Sequence, residues 1–258
     1  MDTSAYLEAV IEQTNTLAEW VHGKDAAAAV PTCPKWTLAD LVDHVGSTQR
    51  MVTMLVGERM TEPSGAFARY VPGPTDSGEW RAWLTEGAAE AKRAFASVAD
   101  DTPVWDPSGA EAGVPFWSRR LLGEACVHRA DAAAALGLRY ELAPEPAAAA
   151  VEDWLDTMTS RGYWENRAGF ADAMRGDGQT LHFHATDASG EWLARREADR
   201  VALERTHTKA DVAVRGPAAD LLLVLSRRRP LAAAANLEVH GDRALLDLWI
   251  EHMDWVTD

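Results

Sequence analysis

The feature that most constrains this chain is a change of hydrophobic period partway along it. Over about 140 residues apolar side chains recur every three to four positions, and then short runs take over that alternate with a period of two. One kind of element cannot serve both periods, so the chain reads as an α+β protein of two domains. The length agrees, since 258 residues is near the size at which one hydrophobic core stops growing and chains divide.

The helical part opens with Tyr6, Leu7, Val10, Ile11, Leu17, Ala18 and Val21 in register, closed by His22-Gly23. A second helix starts at Thr37-Leu38-Ala39-Asp40, where a hydroxyl followed three residues later by a carboxylate makes a capping box, and its stripe is Leu38, Leu41, Val42, Val45, Val52, Leu55 and Val56. Residues 62–78 are rich in Pro and Gly and read as a long connection. A third helix follows on Trp80, Leu84, Ala88, Ala91, Phe95 and Val98. Pro115 opens a fourth, with Trp117, Leu121, Ala132 and Ala135 in line and Gly137 as its stop. Four helices of this kind make a four-helix bundle.

Two prolines in the segment LAPEPAAAA mark the boundary, placing the domains at residues 1–142 and 143–258. Beyond it a helix is expected over 148–167, then strands at 180–185, 191–195, 200–205 and 211–215, with Asp187-Ala188-Ser189-Gly190 as a turn. A helix over 217–228, a strand at 237–240 and a helix over 242–255 complete a small α+β domain.

Chemistry enters where this apolar patterning is violated. Glu124 and His128 stand four apart, hence one turn apart on one helix face, and they fall on the line Trp117, Leu121, Ala132, Ala135 that should be core. An unpaired charge there would be costly. On the second helix His44 flanks the buried stripe, with Leu41 and Met51 as its neighbours. Periodicity alone explains a Glu-His pair equally well as a hydrogen-bonded or solvated pair. With two cysteines in the chain, Cys33 and Cys126, any metal must rest on His and carboxylate, and a His, His, Glu set suits a zinc that keeps one position open.

The charge narrows the partners. Twenty-five Lys and Arg against 40 Asp and Glu leave a net charge of −15, which disfavours nucleic acid and anionic membrane surfaces. No run of 18 apolar residues occurs, the N-terminus lacks a signal-peptide pattern, and two cysteines suit a reduced compartment, so a cytoplasmic protein is expected.

Two segments, Trp36-Thr37-Leu38-Ala39-Asp40-Leu41-Val42-Asp43-His44-Val45 and Gly123-Glu124-Ala125-Cys126-Val127-His128-Arg129-Ala130-Asp131, resemble the mycothiol-dependent maleylpyruvate isomerase family. The resemblance continues through the segments 214–222 and 237–246, and so covers essentially the whole chain. It implies a DinB-like four-helix bundle followed by a sterol-carrier-like domain. It also implies one zinc per chain on His44, Glu124 and His128, and mycothiol, the small thiol of actinobacteria, as cosubstrate. At one position the chain departs from the family, which often carries Trp where Ala130 stands, so that a different pocket wall is expected there.

Other residues attract a second reading. His182 and His184 alternate along a strand and form a rival metal pair, although a polar strand facing solvent explains them as well. Cys126 sits about 200° round the helix from either proposed ligand and should not share their ion. Arg227, Arg228 and Arg229 suit the C-terminal end of a helix dipole; the sharper reading is that Arg227 or Arg228 grips a substrate carboxylate.

A three-coordinate zinc can accept a thiol and lower its pKa until the thiolate dominates near neutrality. That nucleophile could add to a double bond and allow cis-trans isomerisation, or displace a leaving group as an S-transferase does. The rivals are a binding protein with a structural metal, in which the second domain holds an apolar ligand, and a hydrolase using zinc-bound water.

Overall fold

In the computed structural model, residues 1–110 and 113–253 are described. They divide into two units, one of residues 1–106 and 113–140, the other of residues 107–110 and 141–253.

Capping and apolar stripes account for the first unit. Asp2 caps α1 (Thr3–Val21) by accepting from the Ala5 amide at 2.8 Å, and Gly23 ends it in the left-handed region at φ 67°. The capping box expected at Thr37 and Asp40 is formed in both directions and starts α2 (Leu38–Gly57). A single turn, α3 (Ser64–Phe67), interrupts the connection, and α4 (Trp80–Ala96) and α5 (Gly113–Leu136) complete the unit. Each of α1 and α2 packs against both α4 and α5, so the four long helices form a bundle in which α1 and α2 are diagonal. Leu17, Val21, Val30, Leu38, Leu41, Val45, Trp80, Leu84 and Ala132 belong to one buried cluster at its centre.

The fourth long helix differs from the one-sided stripe expected of it. Every residue from 120 to 133 is buried, so α5 is enclosed on all faces rather than along one. Charged and polar residues at Arg120, Glu124, His128, Arg129 and Asp131 lie inside that enclosure. Gly137 ends the helix at φ 64° as its position suggests.

In the second unit, α6 spans Pro144–Met158 rather than 148–167. The two prolines read as interruptions instead open the helix, because a proline at the first helical position loses no needed N–H. At the other end Ser160 accepts from the Tyr163 amide and caps a new short helix, α7 (Arg161–Asn166), which is followed by α8 (Ala168–Met174). The strands are β1 (Thr180–Ala185), β2 (Glu191–Arg196), β3 (Val201–Glu204), β4 (Val212–Gly216) and β5 (Glu238–Gly241), close to their expected places. They form one sheet in the order β3-β2-β1-β4-β5, with β1 and β4 parallel and the other pairs antiparallel.

Register separates the two sides of this sheet. Leu181 and Phe183 pair with Ala194 and Trp192 on one flank and with Val212 and Val214 on the other, and all six are buried. Helices α9 (Ala218–Leu225) and α10 (Arg243–His252) pack on these strands. The end of the helix expected over 242–255 lies outside the described residues. His182 and His184 take the alternate positions of β1 and belong to the opposite face. At the turn from β5, Gly241 adopts φ 97°, and a Cβ there would lie 2.1 Å from the Asp211 carbonyl oxygen, which only glycine avoids. No helix among the described residues is long and apolar enough to cross a membrane.

Candidate metal centre

Helices α2 and α5 pack side by side in the first unit, and three donor side chains converge between them. The i, i+4 spacing on α5 brings His128 Nε2 to 2.9 Å from Glu124 Oε2, and α2 delivers His44 Nε2 to 3.0 Å from the same oxygen. A tetrahedral zinc with ligands at about 2.0–2.1 Å sets its donor atoms about 3.3 Å apart, close to these separations. All three donor atoms lie within 4.8 Å of one another. Two borderline nitrogens and one hard oxygen are the donor set of a zinc site with a further position left over. The residues present therefore fit a zinc-class ion.

The surroundings fix how each donor is presented. His128 Nδ1 is 2.8 Å from Asp131 Oδ2, one turn further along α5, so its other nitrogen is left for the centre. Asp131 is fully buried and accepts two more bonds, from Thr32 Oγ1 at 2.6 Å and from the Cys33 thiol at 3.7 Å, both contributed by the loop between α1 and α2. Glu124 is held from its other side, where Oε1 pairs with the Arg120 guanidinium one turn back. That division leaves Oε2 facing the histidines.

Burial alone would raise the Glu124 carboxyl, but the Arg120 guanidinium and the hydrogen bonds from His128 and His44 outweigh it and hold it well below the usual carboxylate range. Burial alone would lower His128; Asp131 and Glu124 reverse the sign and raise it. The Trp36 indole, at the end of the same loop, has its ring centroid 4.9 Å from that of His44 and stacks 5.7 Å from His128. Exposure is graded: the His128 side chain retains 4% of its surface and Glu124 9%, whereas His44 retains 30%, so the centre opens on the His44 side.

The structure thus brings the three candidate ligands together. Asp131, Arg120 and Trp36, which hold and cover them, were not singled out by the sequence reading. Asp131 carried a signal, since a carboxylate three residues beyond a histidine shares its helix face. Arg120 carried the same signal with respect to Glu124. Trp36 is placed by a loop, and no periodicity marks it. Cys126 is fully buried, and its carbonyl accepts from the Tyr140 hydroxyl at 2.9 Å.

The three arginines lie in the other unit, just past α9. Arg227 adopts φ 62° and donates through Nη1 to the Glu251 carbonyl at 3.0 Å. Arg228 donates to the Ser226 carbonyl at 2.9 Å, and Arg229 pairs with Asp220.

The family model described as the mycothiol maleylpyruvate isomerase N-terminal domain matches residues 7–133, and the one described as the MDMPI C-terminal domain matches residues 145–248. A crystal structure of the mycothiol-dependent maleylpyruvate isomerase is 13% identical, with a TM-score of 0.50 over 94% of this chain and 95% of that one. A UbiJ-SCP2 ubiquinone synthesis protein is 19% identical over 44% of this chain and 93% of its own, with a TM-score of 0.32. No curated protein matches the sequence.

Proposed function

This chain belongs to the mycothiol maleylpyruvate isomerase family, and on that premise we propose that it is a zinc-dependent enzyme that uses mycothiol to attack a small electrophile. The observation that carries the reading is the convergence of His44 Nε2 and His128 Nε2 on one oxygen of Glu124. These three residues would hold the ion, which when bound would accept the thiol and lower its pKa toward neutrality.

The remaining work falls to the chain's own side chains. Asp131 keeps the His128 ring in one tautomer and one orientation. Arg120 fixes the rotamer of Glu124 through the oxygen that the histidines do not use. The Trp36 indole covers two of the three ligands and reduces the access of water, which strengthens electrostatic interactions within. The graded exposure toward His44 supplies the route by which a small thiol arrives.

Once formed, the thiolate can add to a cis double bond activated by a carbonyl, giving an enolate in which the former double bond rotates as a single bond, and expulsion of the same thiolate then returns the trans isomer. Displacement of a leaving group would instead give a stable thioether. The family name favours isomerisation of the maleylpyruvate type. Binding of the electrophile's carboxylate by Arg227 or Arg228 is a separate proposal, supported by the fit of a planar guanidinium to a carboxylate.

The test is metal analysis followed by turnover assays with mycothiol and a panel of electrophiles. One zinc in the bundle, turnover that is lost on chelation, and thiol that returns unconsumed would support the isomerase. Stoichiometric loss of thiol would identify a transferase. Turnover that persists after the metal has been stripped would overturn the reading.

A further inference from the structure

A second set of donor side chains lies on the sheet of the other unit. His182 and His184 occupy alternate positions of β1 on the face opposite its apolar core, and Glu191 is the direct cross-strand partner of His184. A fourth residue comes from the connection between β3 and β4. In the order β3-β2-β1-β4-β5 that connection, residues 205–211, must cross both β2 and β1, and it does so over the polar face. It brings the His207 ring to 5.6 Å from that of His182 and 6.1 Å from that of His184.

The atoms meet at Glu191. His207 Nδ1 lies 2.8 Å from Glu191 Oε2, His184 Nδ1 lies 2.8 Å from Oε1, and His182 Nε2 lies 3.8 Å from Oε2. The last separation is too long for a hydrogen bond, and among the described residues His182 Nε2 has no hydrogen-bond partner although the residue is only 5% exposed. A buried ring nitrogen 3.8 Å from a carboxylate oxygen is spaced as a co-ligand of one ion would be, not as a hydrogen-bonded partner. Two ligands of one ion with bonds of about 2.0–2.1 Å stand roughly 3 to 4 Å apart, which is where this nitrogen and this oxygen are.

We infer that His182, Glu191 and His207 form a second divalent-metal site, for an ion of the zinc class, in the α+β unit. One donor atom of each residue lies within 4.8 Å of the other two, and His182 Nε2 and His207 Nδ1 stand 3.8 and 2.8 Å from Glu191 Oε2. His184 holds the second oxygen of Glu191 and keeps the carboxylate in place. His182 and His207 line a groove of about 590 Å³ together with Lys209, Arg215 and His240, which gives an ion a way in from solvent. Imidazole and carboxylate donors suit zinc, cobalt, nickel or copper better than calcium or magnesium. Because one ligand comes from the crossing connection and two from the sheet, the ion would tie residues 205–211 to the strands beneath.

The experiment is a zinc titration of the chelator-stripped full-length protein against a chromophoric competitor. Wild type should take up two equivalents, His207→Ala one, His128→Ala one, and the double variant none. His207 is an exposed loop residue, so its replacement leaves the fold intact, and an unchanged circular dichroism spectrum confirms that. Zinc should also slow tryptic cleavage after the exposed Lys209 at least several-fold in wild type and in His128→Ala, but not in His207→Ala. If wild type and His207→Ala bind the same amount of zinc, or if the ion leaves cleavage at Lys209 unchanged, there is no such site. The His128→Ala arm separates this outcome from failure of the bundle centre, which would show instead as unchanged uptake in that variant.

Discussion

The two histidine clusters of this molecule are built on opposite principles. In the bundle, Glu124 and His128 come from a helix that is buried on every side, and each is held from behind by a buried partner, Arg120 or Asp131. On the sheet, His182 and His184 come from alternate positions of one strand, their carboxylate from the next, and the third nitrogen from an exposed connection. The first arrangement is set by rigid packing before anything binds, and the second needs a loop to stay where it is. A preorganised, partly dry centre suits activation of a nucleophile, whereas a loop-dependent one suits a tie between elements.

The sharpest way to break this contrast is at the bundle ligands themselves. Replacing His44, Glu124 or His128 by Ala should each remove most of the bundle zinc and lower kcat/KM by roughly three orders of magnitude, as when one member of a unit is lost. Parallel metal analysis and steady-state kinetics check this. Unchanged metal content in all three variants would show the site to be elsewhere. By the same contrast His207→Ala should leave turnover within about twofold, since it touches only the sheet cluster.

A smaller effect should follow from loss of the buttress behind His128. Asp131→Ala should weaken zinc binding by about 10- to 100-fold with the three ligands intact, the range seen when a ligand's outer partner is lost. Competition titration reads it. A loss no larger than that of a surface carboxylate would mean that the bundle centre owes little to its buried frame.

The arginines test whether the α+β unit contributes to catalysis. Arg227→Ala or Arg228→Ala should raise KM for a carboxylate-bearing electrophile several-fold while zinc content and kcat stay near wild type, which is the signature of lost substrate binding. Equal KM values across both variants would remove the arginines from the account.

Least affected should be the cysteines. Cys126→Ser should retain full turnover, because in the proposed reaction the attacking sulfur belongs to the exogenous thiol. Cys33→Ser should fall within a few-fold of wild type, since its thiol donates to Asp131 at 3.7 Å and a hydroxyl can do the same. Abolished activity in either, with metal and fold intact, would make a protein thiol the nucleophile.

Much of this could be read from the residues, for reasons that also explain what could not. Helices α1, α2, α4 and α5 announce themselves through long apolar stripes and caps such as Thr37 and Asp40, because a helix start is local chemistry. Glu124 and His128 were conspicuous because they break a core stripe. That His44 meets them is a tertiary fact that no spacing within α2 contains, and there family resemblance supplied the expectation. Helix α6 starts at Pro144, four residues before the expected start, because proline both opens and ends helices and packing decides which. The sheet cluster was half legible: the period of two placed His182 and His184 on one face, but Glu191 joins them through cross-strand register and His207 through a crossing loop.

The central claim is that the bundle centre takes up the thiol, and cobalt substitution tests it most directly. His207→Ala protein loaded with one equivalent of cobalt carries the ion only in the bundle, and its spectrum reports the ligands directly. On addition of mycothiol without electrophile, the account expects a new thiolate-to-cobalt charge-transfer band that saturates at one thiol per chain. A spectrum that keeps its cobalt signature and gains no such band would contradict it.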